Sequence, residues 1–218
     1  MKYSGIIFDL DGTLADSIED LTDAMNYGLA QLGLPAQPAE VYRKMVGDGV
    51  KKFVERALGP EHVSRADQLL EAMTGYYLEH CLEKTLPYSG MKQTVETLSA
   101  MGIRLAVLTN KNHAPSVKVV EHLFGSGTFN PIIGMSPGRE RKPDPASAFE
   151  ILNAWSLPAD RVLFVGDSDI DIHTAKAAGM EVAGAAWGYR TADLLKQSGA
   201  DTVIDHPKQI LDLLNGLK

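Results

Sequence analysis

Cysteine is nearly missing from this chain: Cys81 stands alone. No internal disulfide can form, and no cysteine-based zinc site can be assembled. Long apolar runs are missing too, since none approaches the ~20 residues of a membrane span. The opening MKYSGIIFDLDG has one early lysine and a short apolar run that stops at an acid. A signal peptide would need a longer apolar stretch and a small-residue cleavage site. Basic charge is in deficit, with 21 Lys and Arg against 28 Asp and Glu and a net charge of −7. A negative field of this kind works against nucleic-acid and anionic-membrane binding. The six histidines show no metal-ligand spacing, and there are no repeats or low-complexity tracts. No heptad run or apolar interface stripe stands out. The expectation is a cytoplasmic protein with neither a nucleic-acid nor a membrane partner, a monomer or a weak homodimer.

What is present is ordinary globular composition: 218 residues, 44% hydrophobic and 22% charged. That suffices for one core and a small second module. Lys2 to Leu10 reads as a buried strand ending at an Asp-Gly turn. From Ser17 to about Lys84 the apolar spacing is helical, carried by Leu21, Met25, Leu29 and Leu32, then Phe53, Val54 and Leu58, then Leu69, Met73 and Tyr77. Gly33-Leu34-Pro35, Gly47-Asp48-Gly49 and Gly59-Pro60 punctuate it. Beyond Gly90 short apolar strands alternate with helices, the clearest strands being Ile103–Leu108 and Val162–Val165. This alternation implies an α/β fold, a Rossmann-like parallel sheet covered on both faces. The helical block is inserted into it. The expected division is a core of residues 1–15 and 87–218 and an α-helical cap of residues 16–86.

In such sheets ligands bind at the carboxyl ends of the strands, and the polar clusters fall there. Strand one ends in Asp9-Leu10-Asp11-Gly12-Thr13, the second in Thr109-Asn110-Lys111, and the Val162–Val165 strand in Gly166-Asp167-Ser168-Asp169-Ile170-Asp171; Lys142 lies in a loop. Phosphoryl transfer needs a nucleophile, a proton shuttle and positive charge around the transferring oxygens. Asp9 can attack phosphorus, and Asp11 can protonate the leaving oxygen and then activate water. Two carboxylates beside a phosphate call for a hard cation, and Mg²⁺ fits oxygen donors. Asp9 and Asp167 are its natural ligands, with the Asp11 carbonyl as a third. Thr109 offers a hydroxyl, Asn110 a backbone N–H, and Lys142 a compact ammonium to the phosphate. Ser168 with Asp171 fits a helix capping box, so Asp171 reads both as a helix-start residue and as a group near the metal.

FDLDGTLADS, VLTNK, RKPDP and FVGDSDIDI resemble the four motifs of the haloacid dehalogenase superfamily, in order and across the chain. That resemblance implies a Rossmann-like core, a cap and an aspartyl-phosphate mechanism. By it Asp9 is nucleophile, Asp11 acid/base, Thr109 and Lys142 phosphate binders, Asp167 a metal ligand, and Asp171 the second acidic position near the metal. The presence of Asp11 points to phosphate chemistry over halide displacement. Within the family the chain is most similar to phosphoglycolate phosphatases, through VGDGV at 46–50, TNK at 109–111, KPDP at 142–145 and WGYR at 187–190. The expected substrate is thus a small phosphorylated metabolite, phosphoglycolate first. Inorganic pyrophosphatase, a sugar-phosphate phosphatase or a β-phosphoglucomutase-like mutase are alternatives, and a receiver-like phospho-Asp module is a non-enzymatic one.

The cap would close over the site on hinges near 14–17 and 86–90 and set specificity. The Gly47-Asp48-Gly49 turn either brings backbone N–H groups to the substrate or simply joins two helices. Arg43 and Lys44 either meet an acidic leaving group or are solvated.

Overall fold

The computed structural model describes residues 1–216. In chain order the elements are β1 (Gly5–Phe8), β2 (Ala15–Asp16), α1 (Ile18–Gln31), α2 (Ala39–Arg43), α3 (Val50–His62), α4 (Ala66–His80), β3 (Leu86–Pro87) and α5 (Met91–Ala100). Then follow β4 (Arg104–Asn112), α6 (His113–Phe124), β5 (Ile132–Met135), α7 (Ala146–Trp155), β6 (Val162–Gly166), α8 (Asp169–Ala177), β7 (Glu181–Ala185), α9 (Ala192–Gln197), β8 (Thr202–Ile204) and α10 (Gln209–Leu214).

Six strands form one parallel sheet in the order β5-β4-β1-β6-β7-β8. Central β1 is buried throughout, as an all-apolar run in a doubly covered sheet must be. Its alternate side chains feed two cores. Ile6 and Phe8 join one apolar cluster, and Ile7 joins the other with Phe164, Ile151 and Trp155. Each such fully buried side chain contributes about 1.5–3 kcal/mol. Chain order reverses about β1, with β4 on one side and β6 on the other. Gly5 lies opposite both Arg104 and Val162, so Phe8 is flanked by Val107 and Val165. The residues at the carboxyl ends of these three strands therefore share one crevice at the switch point.

Between β1 and α5 the chain makes the helical insertion α1–α4. Leu21, Met25 and Leu29 of α1 and Leu69, Met73 and Tyr77 of α4 belong to the same apolar cluster as Ile6 and Phe8. The insertion thus shares a core with one face of the sheet. It leaves and returns through a two-residue antiparallel ribbon that pairs Ala15 with Pro87 and Asp16 with Leu86. Buried Asp20 secures the return, its carboxylate accepting from the backbone N–H groups of Lys84 (3.0 Å) and Thr85 (2.9 Å) and from the Thr85 hydroxyl (2.6 Å).

Three elements depart from the sequence expectation. β1 is shorter than Lys2–Leu10, because Lys2 N–H donates to Leu214 and the Leu10 carbonyl turns to accept from Thr13, Leu14 and Ala15. β4 is longer than Ile103–Leu108. After an irregularity it pairs Asn112 with Met135, which carries Thr109-Asn110-Lys111 inside the strand instead of after it. The apolar pattern places the next helix at Ser116–Phe124, but α6 starts earlier, at His113.

Candidate active site

Asp9 continues β1, its N–H donating to the Val165 carbonyl at 3.0 Å. The chain then turns at Gly12, where φ is +89°. Only glycine serves at that position, because a Cβ there would run into the Asp167 carboxylate and the φ is left-handed. Asp167 follows β6. Its carboxylate accepts from the Tyr189 backbone N–H at 2.7 Å and the Thr13 hydroxyl at 3.3 Å. Gly188 also packs against it, leaving no room for a side chain beside Asp167 and the Gly12 carbonyl.

Asp171 sits in the first turn of α8. One oxygen accepts from the Ser168 N–H (3.0 Å) and hydroxyl (2.6 Å), which completes a capping box. The other accepts from Lys142 Nζ at 2.6 Å. Asp171 is thus a helix-cap residue that also holds Lys142. Lys142 uses all three of its protons, on Asp171, on Asp9 (2.8 Å) and on the Leu108 carbonyl (2.9 Å). Burial alone would lower the Lys142 pKa, but Asp171 and Asp9 outweigh it and hold the ammonium charged.

Asp9, Asp167 and Asp171 are buried and bring one carboxylate oxygen each within 4.8 Å of one another. Burial first, and then the neighbouring Asp171 against the relief given by Lys142, pushes Asp9 up to about 6. Burial, followed by Asp171 and Asp9, pushes Asp167 well above the usual carboxylate range. Three carboxylates facing one ammonium are short of positive charge, and hard oxygen donors suit a divalent cation. The three residues could hold one. The Asp11 carboxylate is not in this cluster, which leaves its carbonyl as the group that could join a cation there.

Asp11 instead faces a cavity of about 350 Å³ between the sheet and the insertion, where Asp9, Thr109, Asn110 and Lys111 also emerge. Its carboxylate accepts from Ser17 Oγ at 2.6 Å and from Lys111 Nζ at 2.9 Å to each oxygen. Lys111 donates also to Tyr77 Oη of α4, at 2.6 Å. Thr109 is buried with its hydroxyl accepting from Lys111 N–H at 3.2 Å. The Asn110 side chain spans to the Lys142 loop and to the Gly47 carbonyl of the insertion.

Of the expected cap residues, Gly47 and Gly49 line the cavity and Arg43 and Asp48 do not. The Arg43 guanidinium lies 5.4 Å from the centre of the Tyr189 ring, and Asp48 pairs with Arg56. Lys44 is exposed. Sequence reasoning singled out no role for Lys111, Tyr77, Ser17, Arg141 or Arg190. Arg190 donates to the carbonyls of Arg43 (3.2 Å) and Val46 (2.8 Å), and Arg141 to that of Asp48 (3.0 Å), so both tie the core to the insertion. Their only signal was their place inside the RKPDP and WGYR runs.

Comparison with known proteins bears on the same residues. The family described as haloacid dehalogenase-like hydrolase matches residues 6–185, a span that takes in Asp9, Asp11, Thr109, Lys142, Asp167 and Asp171. This chain belongs to the haloacid dehalogenase-like hydrolases. It is an enzyme of that family, similar over most of its length to phosphatases within it. A phosphoglycolate phosphatase of Pseudomonas savastanoi pv. phaseolicola is 35% identical over 213 residues, covering 94% of this chain and 78% of the relative. Another, from Aquifex aeolicus, is 33% identical over 210 residues and 96% of each chain. The crystal structure of a Lactobacillus delbrueckii subsp. bulgaricus protein superposes with a TM-score of 0.92 at 32% identity, over 98% of this chain and 99% of that one.

Proposed function

We propose that this hydrolase is a Mg²⁺-dependent phosphomonoesterase of the cytoplasm that acts on a small phosphorylated metabolite through an aspartyl-phosphate, with phosphoglycolate as the leading substrate. The observation that carries the reading is the placement of Asp9. It lies buried at the tip of the central strand, 2.8 Å from Lys142 and within the carboxylate trio, while Asp11 two residues on faces the cavity. Mg²⁺, held by Asp9, Asp167 and the Asp11 carbonyl with Asp171 nearby, would supply the positive charge that lets an anionic ester approach these carboxylates.

In the first half-reaction an Asp9 oxygen forms a bond to phosphorus as the ester oxygen leaves, taking a proton from the Asp11 carboxyl. In the second, Asp11 takes a proton from water, whose oxygen bonds to phosphorus and releases Asp9 and inorganic phosphate. Such proton transfer is typically worth about 10²–10⁴-fold. Lys142 holds the non-attacking oxygen of Asp9 in place, and the Thr109 hydroxyl and the backbone N–H of Asn110 serve the transferring phosphate. The insertion α1–α4 acts as a cap that keeps water from the reaction. Names of the relatives support phosphoglycolate as substrate.

Phosphate release from phosphoglycolate, pyrophosphate, several sugar phosphates and an aryl phosphate, with Mg²⁺ or with EDTA, tests the reading. Mg²⁺-dependent release that disappears in Asp9→Asn upholds it, and the ester with the highest kcat/KM names the substrate. An Asp9→Asn variant as active as wild type would overturn it.

A further inference from the structure

The cavity over Asp11 has two unlike walls. The insertion contributes an apolar one, with Leu21, Val46, Val50, Phe53 and Met73. Facing it, Lys111 is the one cationic side chain among the described residues that line the cavity. Its side chain is only 6% exposed, and its ammonium is shared between the two Asp11 oxygens and the hydroxyl of buried Tyr77. Holding an ammonium out of water costs several kcal/mol before its partners offset it. Lys142 serves Asp9 from beneath and does not line the cavity. Lys111 is therefore the cation on the Asp11 side of the site, in contact with Asp11 and Tyr77 and not with Asp9.

We infer that Lys111, with the Tyr77 hydroxyl, recognises a carboxylate on the leaving group. The inference rests on the phosphatase reading above and adds to it the residue that chooses the substrate. The ester oxygen must come within hydrogen-bond reach of Asp11, about 2.6–3.2 Å. Lys111 Nζ stands 2.9 Å from that same carboxyl group, so a carboxylate one methylene away from the ester oxygen falls beside the ammonium and the Tyr77 hydroxyl. On arrival the substrate carboxylate takes the ammonium over from Asp11, and Asp11 is left facing the ester oxygen. A neutral leaving group offers Lys111 nothing, and the ammonium stays on Asp11. Arg43 and Lys44 of the insertion are replaced in this role by a residue of the core, next to Thr109. Tyr77 makes recognition depend on closure, because it comes from α4 across the cavity.

The test compares phosphoglycolate with ethyl phosphate, in which a methyl group stands where the carboxylate was. Both esters are run with wild type, Lys111→Met, Lys111→Arg and Tyr77→Phe. Wild type should prefer phosphoglycolate. Lys111→Met should shrink that preference roughly 30-fold, chiefly through KM, as expected for one charge-assisted hydrogen bond. Lys111→Arg should recover part of it, and Tyr77→Phe should cost about 3- to 10-fold. Lys111→Met will also slow ethyl phosphate, since Asp11 loses a partner, so the ratio of the two esters is the readout. An equal loss on both, or a preference that survives intact, overturns the assignment and makes Lys111 a support for Asp11 alone. Absence of Mg²⁺-dependent release from either ester by wild type would instead count against the phosphatase reading. Calorimetric binding of the two esters to Asp9→Asn, with and without Lys111→Met, reads the same preference without turnover and decides the inference even then.

Discussion

The side-chain amide of Asn110 grips the backbone of Lys142 at both ends: Nδ2 donates to its carbonyl at 3.0 Å, and Oδ1 accepts from its N–H at 2.8 Å. The same Nδ2 lies 3.1 Å from the Gly47 carbonyl. Asn110 thus works as a splint that sets Lys142 under Asp9 and meets the insertion at once. Asn110→Leu leaves two buried backbone groups of Lys142 unpaired, at about 1–3 kcal/mol each. We expect kcat to fall about 10- to 100-fold with a clear drop in Tm. Wild-type kcat in that variant would show that Lys142 needs no such support.

Lys142→Met removes the only ammonium in contact with Asp9 and Asp171 among the described residues. Breaking a buried ion pair from one side costs about 3–5 kcal/mol. Metal-free protein should lose stability on that scale in denaturant titrations, and turnover should fall by 10³-fold or more. Mg²⁺ should restore part of the stability and none of the activity. Full activity in Mg²⁺ would remove Lys142 from the mechanism.

The pH dependence has a definite sign. Asp9 is held at about 6 and Asp167 well above the ordinary range, both first of all by burial. These folded values exceed the unfolded ones, so the metal-free fold binds more protons than the unfolded chain and loses stability as pH rises from about 4 through 6. A cation needs the carboxylates ionised and releases those protons on binding. Thermal melts with Mg²⁺ against EDTA should show little stabilisation at pH 5 and several degrees at pH 7.5. Equal shifts at both pH values would separate these aspartates from the cation.

Gly188→Ala tests the packing around Asp167. A methyl group there meets Asp167 and the Gly12 carbonyl, so the carboxylate must move. Overpacking of this kind typically costs about 1–3 kcal/mol. The variant should bind Mg²⁺ more weakly by calorimetry, and unchanged affinity would place the cation away from Asp167.

Arg190→Ala removes donors to the carbonyls of Arg43 and Val46. Hydrogen bonds from a charged donor contribute about 1.5–3 kcal/mol. Hydrogen exchange of residues 43–50 should quicken, KM should rise several-fold, and Tm should fall by several degrees. Unaltered exchange would mean that the other links, those of Arg141, Asn110 and Lys111 among them, hold the insertion without Arg190.

The sheet, the helical insertion and the strand-tip aspartates could be read in advance because each rests on local pattern. An apolar run such as Ile6-Ile7-Phe8 followed by Asp9 states both its burial and its end. Thr109 and Lys142 could be proposed because phosphate chemistry calls for a hydroxyl and an ammonium near such tips, although β4 runs on past Thr109 and Lys142 comes from a loop. Lys111 and Tyr77 could not be paired, since they meet only when α4 folds back over β4, and Tyr77 by itself looks like one more residue in a helical apolar stripe. Arg190 was hidden likewise, because its partners are backbone carbonyls and carry no residue identity. Asn110 reads as a phosphate-facing residue from its position, yet its side chain is spent on Lys142 and Gly47.

The ribbon of Ala15–Asp16 against Leu86–Pro87 has one more consequence. Paired strand residues stand about 5 Å apart, so the chain re-enters the core almost where it left. To the sheet, everything between Asp16 and Leu86 occupies the place of a single hairpin loop. A different segment could enter and leave at the same doorway, provided that it re-covers the sheet face of Ile6 and Phe8 and replaces the partners that Ser17, Gly47 and Tyr77 give to Asp11, Asn110 and Lys111.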